Sequence, residues 1–488
     1  MKWRTITIIF LALLIVGGTL ALVVAFVPPS ALIGVVGLTL VDRAIRTYAR
    51  RKPKTDAQII ALLDKCVVQQ RRAPGMVIGI IDDKGAKVFA KGVRENGQSA
   101  PVDGDTLFEI GSVTKVFTAL LLQSMTDSGE VRLDDAIGQY LPTSVKTPTR
   151  KGKEITLAGL ATHTSGLPRL PDNLDATNVK NPYVDYTVEK LYDALARLQL
   201  KRSWVLPVEY SNLGVGLLGH VLALRAGESY EELVTRRICN PLQMNSTRIT
   251  LTPELKDRLA PGHGAAGDTV ENWDFAVLAG CGALRSTAND LLKFLAANFG
   301  WTHSSLSQAM VAAQQPRHRI GFFRKIGLIW LIDTARGTIW HGGGTGGYCS
   351  YVGCKRRLRR AVVVLANSAN GVHDIGQFLL GNRSAVKNFQ PPKARNVAQV
   401  DPNIFDSYVG QYKFPIIRTT ITVTREGRQL FARLTGQSRL EVFPESETDF
   451  FYRVVDAQLT FRKDATGAVT DVILHQNGRH QKAAKVAN

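Results

Sequence analysis

Ser112 and Lys115 bring a hydroxyl and an amine three residues apart, a spacing that puts both on one face of a helix, one turn from each other. Val116, Phe117, Leu120 and Leu121 follow and make that helix read as internal. Burial removes water from a lysine and lowers its pKa, and a lysine that can lose its proton can take one from serine. Two other groupings could join this chemistry. Tyr210 and Asn212, in Val208-Glu209-Tyr210-Ser211-Asn212-Leu213-Gly214, fall in a loop that opens a helix. A phenol serves as general base where cationic neighbours share its proton, and the Asn amide offers a donor and an acceptor to a substrate amide. His341-Gly342-Gly343-Gly344 follows the strand-like Thr338-Ile339-Trp340. Glycines along an edge strand let a substrate backbone approach and expose N–H donors, with His341 beside the reacting carbonyl. Each grouping alone also fits a plainer reading: a surface lysine, a loop tyrosine tucked into the core, a glycine-rich turn with an exposed histidine.

The elements that must position these residues are legible in outline. Thr55 to Gln70 has helical spacing, Gly75 to Asp82 reads as a buried strand, and Lys87 to Gly92 as its hairpin partner across Asp83-Lys84-Gly85. A long region, about Leu133 to Leu306, has helical periodicity broken by Pro and Gly. Strand signals return at Ile326 to Ile332, Gly337 to Trp340 and Ala361 to Ala366, which predicts one antiparallel sheet completed by distant parts of the chain. Gln390-Pro391-Pro392-Lys393 marks a linker. Beyond it, short runs at Ser407 to Phe414, Thr419 to Thr424, Gln429 to Leu434, Phe450 to Val455, Gln458 to Arg462 and Val469 to Gln476 predict a small all-β domain, a barrel or curled sheet. The expected division is 1–54, 55–385, a linker at 386–402, and 403–488.

A chain of 488 residues is too long for one compact core. Its net charge of +20 suits a nucleic acid, an anionic membrane surface or an acidic polymer such as cell-wall material. No aromatic-basic stacking pattern or zinc-finger spacing supports nucleic acid. Ile6 to Val27 is uncharged and mostly apolar, long enough to span a bilayer, and Arg43, Arg46, Arg50, Arg51, Lys52 and Lys54 follow it, a position that favours lipid headgroups. An uncleaved N-terminal anchor is expected, with a signal cleaved near Ala25 as the alternative. Charge counting leaves its orientation open. The run Lys355-Arg356-Arg357-Leu358-Arg359-Arg360 reads as a solvated hairpin turn. Five cysteines, an odd number, read as free thiols used as small core residues. Without His-Glu-x-x-His or paired Cys-x-x-Cys, no metal and no cofactor are expected.

Ser112-x-x-Lys115, Tyr210-x-Asn212 and His341-x-Gly343, in that order, resemble the signature of the penicillin-recognising serine hydrolases. These include class C β-lactamases, DD-peptidases and D-aminopeptidases of the S12 peptidase type, and related esterases. The phrases Leu160 to Leu167 and Ala279 to Asp290 are also similar to the family, and the resemblance covers about residues 60 to 385. It implies an α/β fold of β-lactamase/transpeptidase type, an antiparallel sheet flanked by helices with a helical region beside it. It implies an acyl-enzyme on Ser112 with Lys115 and Tyr210 sharing the general-base work, and an oxyanion hole from the N–H groups of Ser112 and Gly344. Asn212 would orient the substrate amide, and His341 would bind a carboxylate or relay a proton to the leaving group. Class C β-lactamases have lysine where this chain has His341, so recognition of a carboxylate should be weaker or more pH-dependent. Cell-wall-type D-amino-acid peptides are the leading substrate class, then β-lactams, then esters; a non-catalytic wall-binding protein is the distant alternative. The family context places the catalytic domain in the bacterial periplasm, held at the inner membrane.

Overall fold

The computed structural model describes residues 53–486, apart from 95–99, 175–177, 179, 201–207, 391–394, 396, 416–418, 436–438, 453–456 and 477–478. The expected anchor, Ile6 to Val27, lies outside the described residues. Among the described residues no helix is long and apolar enough to cross a membrane.

Helix α1 (Asp56–Leu63) starts on a capping box in which the Thr55 hydroxyl accepts the Gln58 N–H and the Gln58 side chain accepts the Thr55 N–H. Strands β1 (Gly75–Asp82) and β2 (Gly85–Gly92) form the expected hairpin. Two small ladders follow, β3 (Phe108–Glu109) with β6 (Arg285–Ser286), and β4 (Gly262–His263) with β5 (Thr269–Val270). The main sheet then gains β7 (His318–Gly321), β8 (Arg324–Ile326), β9 (Leu331–Asp333), β10 (Thr338–Gly344), β11 (Cys349–Lys355) and β12 (Arg360–Ala366). Its order is β2-β1-β12-β11-β10-β9-β8-β7, and every pairing is antiparallel. The first hairpin meets the last strand, as the strand signals at the two ends of the unit required.

Period-two alternation sorts the central strands between two cores. Met76, Ile78 and Ile80 of β1, with Val362 and Val364 of β12, face Ile59, Leu62 and Leu63 of α1 and Ile375 and Leu379 of a later helix (His373–Leu379). Val77, Val363 and Leu365 face the other way, onto the large helical core. At the centre of that core lies α2 (Thr114–Asp127), which is buried along nearly all of its length. A helix apolar on every side belongs inside.

Two sequence expectations change in the main sheet. The run Ile326 to Ile332 is not one strand. Ile329 takes a left-handed φ of 66°, and Leu328 and Ile329 donate their N–H groups to the carbonyls of Ala313 and Ala161. These helix-end carbonyls win the backbone bonds that a continuous strand would need. The basic run of residues 355–360 does turn between β11 and β12, through Arg356–Leu358, but its flanks are not solvated. Lys355 and Arg360 are 3% and 4% exposed, held by Asn382 and Asp82.

The C-terminal unit is a closed eight-stranded barrel, β13 (Gly410–Lys413), β14 (Thr420–Glu426), β15 (Gln429–Leu434), β16 (Leu440–Pro444), β17 (Asp449–Phe451), β18 (Ala457–Lys463), β19 (Val469–Gln476) and β20 (Arg479–Lys485). Sequence patterning misses β16 and β20 and begins β13 too early. Phe405–Tyr408 is a helical turn, and its Phe405 and Tyr408 rings pack on Phe450 and Phe461 within the barrel core. All five cysteines are free, four of them buried.

Candidate active site

Ser112 does not sit in α2 itself. A short 3-10 turn, Gly111–Val113, delivers it to the head of that helix, and Gly111 makes the turn with a φ of 48°. Lys115 is fully buried one turn on. Its Nζ donates to Ser112 Oγ at 2.9 Å and to the Cys281 carbonyl at 2.6 Å. The segment that supplies this carbonyl is stapled to the turn and helix by three further bonds. Ile110 N–H donates to the Leu284 carbonyl at 3.0 Å, Leu284 N–H to Thr114 Oγ1 at 3.1 Å, and Thr118 Oγ1 to the Gly280 carbonyl at 2.7 Å. The family-like phrase Ala279 to Asp290 thus orients the amine toward the hydroxyl.

Strand β10 pairs with β11 along its whole length but with β9 only over Thr338–Trp340. His341 to Gly344 therefore form an open edge beside the Ser112 turn. A Cβ on Gly111 would come 2.7 Å from both Gly344 N and Gly344 O, so the turn and the strand touch through backbone alone. Gly343 has a different purpose from the one its sequence context suggests. The Ile110 carbonyl occupies the place of its missing side chain. That glycine makes room for the serine's own turn rather than for substrate, whereas around Gly342 the nearest atom to a built Cβ is 3.6 Å away.

Tyr210 lies between the edge strand and the helical region, half-buried, just ahead of α3 (Asn212–Ala226). Ser211 caps that helix through its hydroxyl, which accepts the Gly214 N–H at 2.8 Å. Lys115 Nζ is 5.0 Å from the Tyr210 ring centre and Arg169 Cζ is 5.3 Å from it. The rings of His163 and His341 stand 4.5 Å and 6.3 Å away. Asn212 Nδ2 donates weakly to the Tyr183 hydroxyl at 3.4 Å, and its Oδ1 is buried with no protein partner among the described residues. That oxygen is an acceptor held ready for an N–H donor.

His341 is only 2% exposed. Its Nδ1 lies 2.8 Å from the Gly342 carbonyl, which can only accept, so Nδ1 carries the proton and Nε2 keeps its lone pair. Burial first, and the neighbouring Lys115 second, push this imidazole down to about 3. The partly cationic histidine expected from sequence is instead a buried neutral ring, which also sets aside the plainer reading of an exposed histidine in a turn. An exposed guanidinium, Arg169, is the nearby group that keeps a permanent positive charge.

His163 was not singled out by sequence reasoning, although it lies in the family-like phrase Leu160 to Leu167. Its ring is buried, its backbone is left-handed at φ 58°, and its Nδ1 accepts the Ser211 N–H at 3.2 Å. The proton is therefore on Nε2, which has no protein partner among the described residues. Burial, then Lys115, His341 and Arg169, hold its pKa well below the usual histidine range. The unusual backbone and the orphaned donor are the signals that mark it, and neither is visible in sequence.

The site thus brings Ser112, Lys115, Tyr210, Asn212, His341, Gly343 and Gly344 to one end of the main sheet. A family model described as Beta-lactamase matches residues 49–378, and one described as a domain of unknown function (DUF3471) matches residues 394–485. Penicillin-binding protein 4* of Bacillus subtilis is 26% identical over 81% of this chain and 91% of its own length. The D-alanyl-D-alanine-carboxypeptidase/endopeptidase AmpH of Escherichia coli is 28% identical over 64% of this chain and 87% of its own. Among solved structures, a class C beta-lactamase from Rhodobacter sphaeroides superimposes with a TM-score of 0.57 at 25% identity, covering 66% of this chain and 96% of its own.

Proposed function

This chain belongs to the beta-lactamase family, that of the penicillin-recognising serine hydrolases, and on that premise we propose that it cleaves amide bonds in cell-wall-type D-amino-acid peptides through an acyl-enzyme on Ser112. The observation that carries this reading is the buried Lys115 amine, 2.9 Å from Ser112 Oγ and steered by the Cys281 carbonyl.

Ser112 Oγ attacks the substrate carbonyl and its proton passes to Lys115, the general base within hydrogen-bond reach. Tyr210, beside Lys115, gives its proton to the leaving nitrogen as the C–N bond breaks and regains one from Lys115; water then attacks the ester, losing its proton to the same pair, which returns it to Ser112 Oγ as the acyl group leaves. The N–H groups of Ser112 and Gly344 hold the developing oxyanion. Asn212 Oδ1 accepts from the substrate amide N–H. His341 stays neutral and offers Nε2 as an acceptor, while His163 fixes the Tyr210–Ser211 loop through the Ser211 N–H.

A carboxylate at the end of the peptide meets Arg169 rather than His341. That arrangement favours peptides, whose terminal carboxylate can reach outward, over efficient turnover of β-lactams. A class C-like β-lactamase is the second reading, favoured by the likeness to solved class C enzymes. The N-terminal apolar segment anchors the chain in the bacterial inner membrane with this domain in the periplasm; the segment's length and composition support the anchor, and the family context, not the flanking charges, supports the periplasmic side. Comparing a D-Ala-D-Ala peptide, benzylpenicillin and a short ester as substrates tests the reading. The highest kcat/KM is expected for the peptide, and a higher value for penicillin would make the second reading the better one.

A further inference from the structure

Four hairpin turns lie side by side at one end of the main sheet. The register aligns Gly321 with Arg324, Arg324 with Asp333, Asp333 with Thr338, Thr338 with Lys355 and Lys355 with Arg360, and β1 turns into β2 through Asp82 and Gly85 beside Arg360. The opposite end carries Gly344 and the Ser112 turn. Strand β10 is seven residues long, so the two rims are about 20 Å apart at the usual strand rise.

The turn rim is basic and ends in bare aromatic surface. Its acids Asp82, Asp83 and Asp333 are taken by Arg360, Arg359 and Arg336. Lys84, Arg319, Arg324 and Arg357 are exposed, and none of the four forms a close ion pair among the described residues, although Lys84 adds to the field on Asp82. Phe322 is 92% exposed and Phe323 56%, at the tip of the β7–β8 hairpin between Arg319 and Arg324. Two phenylalanines in water at a hairpin tip cost free energy unless something apolar receives them. The chain also enters the domain at this rim, where the Lys54 carbonyl accepts from the Arg360 guanidinium at 3.3 Å. Before Lys54 in sequence, across Pro53, stand Lys52, Arg51 and Arg50, and further back the apolar run from Ile6 to Val27.

We propose that this rim is the face the protein lays on an anionic lipid surface. Phe322 and Phe323 enter the headgroup layer, while Lys84, Arg319, Arg324 and Arg357 meet lipid phosphates. The Ser112 site then points away from the bilayer, toward substrate beyond it. The proposal rests in part on the membrane anchoring proposed above, but the charge pattern and the bare tip stand without it.

The test uses the full chain carrying Phe322→Cys, labelled with a nitrobenzoxadiazole dye and mixed with vesicles of phosphatidylcholine, alone or with phosphatidylglycerol. The native cysteines are buried or half-buried, so dye-treated unsubstituted protein gives the background. Unchanged ester turnover certifies folding, and the same label at Phe323 provides a second reading. The expected result is a blue-shifted emission on phosphatidylglycerol vesicles that loses most of its intensity when the acyl chains carry a nitroxide, and that weakens in high salt. Flotation of the vesicles reports anchoring separately. Protein that floats with its dye in water overturns the proposal and spares the anchor. Protein that does not float overturns both the rim and the anchor. A blue shift without lipid that grows with protein concentration assigns the tip to a second copy and overturns the proposal.

Discussion

The carbonyl oxygen of Ile110 fills the space in which a side chain on Gly343 would stand, and the Ser350 hydroxyl donates to that same oxygen at 2.7 Å. Strands β10 and β11 thereby clamp the turn that presents Ser112. Gly343→Ala must displace the turn, and a misplacement of that size lowers kcat/KM about 100-fold. Gly342→Ala, with nothing closer than 3.6 Å, stays within a few-fold of the parent. Ester turnover by the two variants checks this, and equal losses would contradict the clamp.

His163 holds the Tyr210–Ser211 loop by one hydrogen bond and lies in a left-handed backbone conformation. His163→Val leaves the buried Ser211 N–H without its acceptor, at about 1–3 kcal/mol, and adds strain from a β-branched residue at positive φ. His163→Asn tolerates that backbone and can restore the acceptor. Urea unfolding should therefore rank parent, Asn and Val in falling order. The kcat values should follow the same order while KM changes little. A Val variant as active as the Asn variant would remove His163 from the positioning of Tyr210.

Acid should weaken this fold through its buried imidazoles. His341 is held neutral down to about 3, whereas an ordinary histidine protonates near 6.5. Between those values the unfolded chain binds the extra proton, so stability is lost as pH falls through that window. His163 shifts in the same direction. The melting temperature should fall from pH 6.5 downward, and less steeply in His341→Gln. Because His341 is neutral in the folded enzyme, kcat/KM should show no limb near pH 6.5 that this substitution removes. Such a limb would mean that His341 acts as a cation in the site.

Arg169 is the exposed cation beside Tyr210. Arg169→Gln should raise KM by about two- to fivefold for peptides with a free carboxylate, the worth of about one exposed charge contact, and leave a neutral ester unchanged. Equal effects on both substrates would make Arg169 a structural residue only.

Much of the fold and the site was legible because its signals are local. The apolar run of β1, the Ser112–Lys115 spacing and the Tyr210-Ser211-Asn212 cap each depend on residues adjacent in sequence. What escaped depends on contacts between distant segments. Ile329 leaves the sheet because the Ala161 and Ala313 carbonyls claim its turn. Gly343 is a glycine because of Ile110, and His341 is neutral because the fold buries it beside Lys115. His163 stayed unmarked because its orphaned Nε2 exists only once Ser211 has occupied Nδ1. Strand β16 is only five residues long and β20 opens with four polar residues in a row, so neither carries an apolar alternation of its own, and pairing with β15 and β19 supplies the register.

The central claim is that Lys115 activates Ser112 for acylation, and covalent labelling tests it most directly. A fluorescent penicillin or a fluorophosphonate should add its mass to the parent protein at Ser112, read by peptide mass spectrometry. Lys115→Met should label at least 100-fold more slowly, the usual worth of a positioned base, and Ser112→Ala not at all. Unchanged labelling in Ser112→Ala, or no labelling of the parent by either probe, would contradict the account.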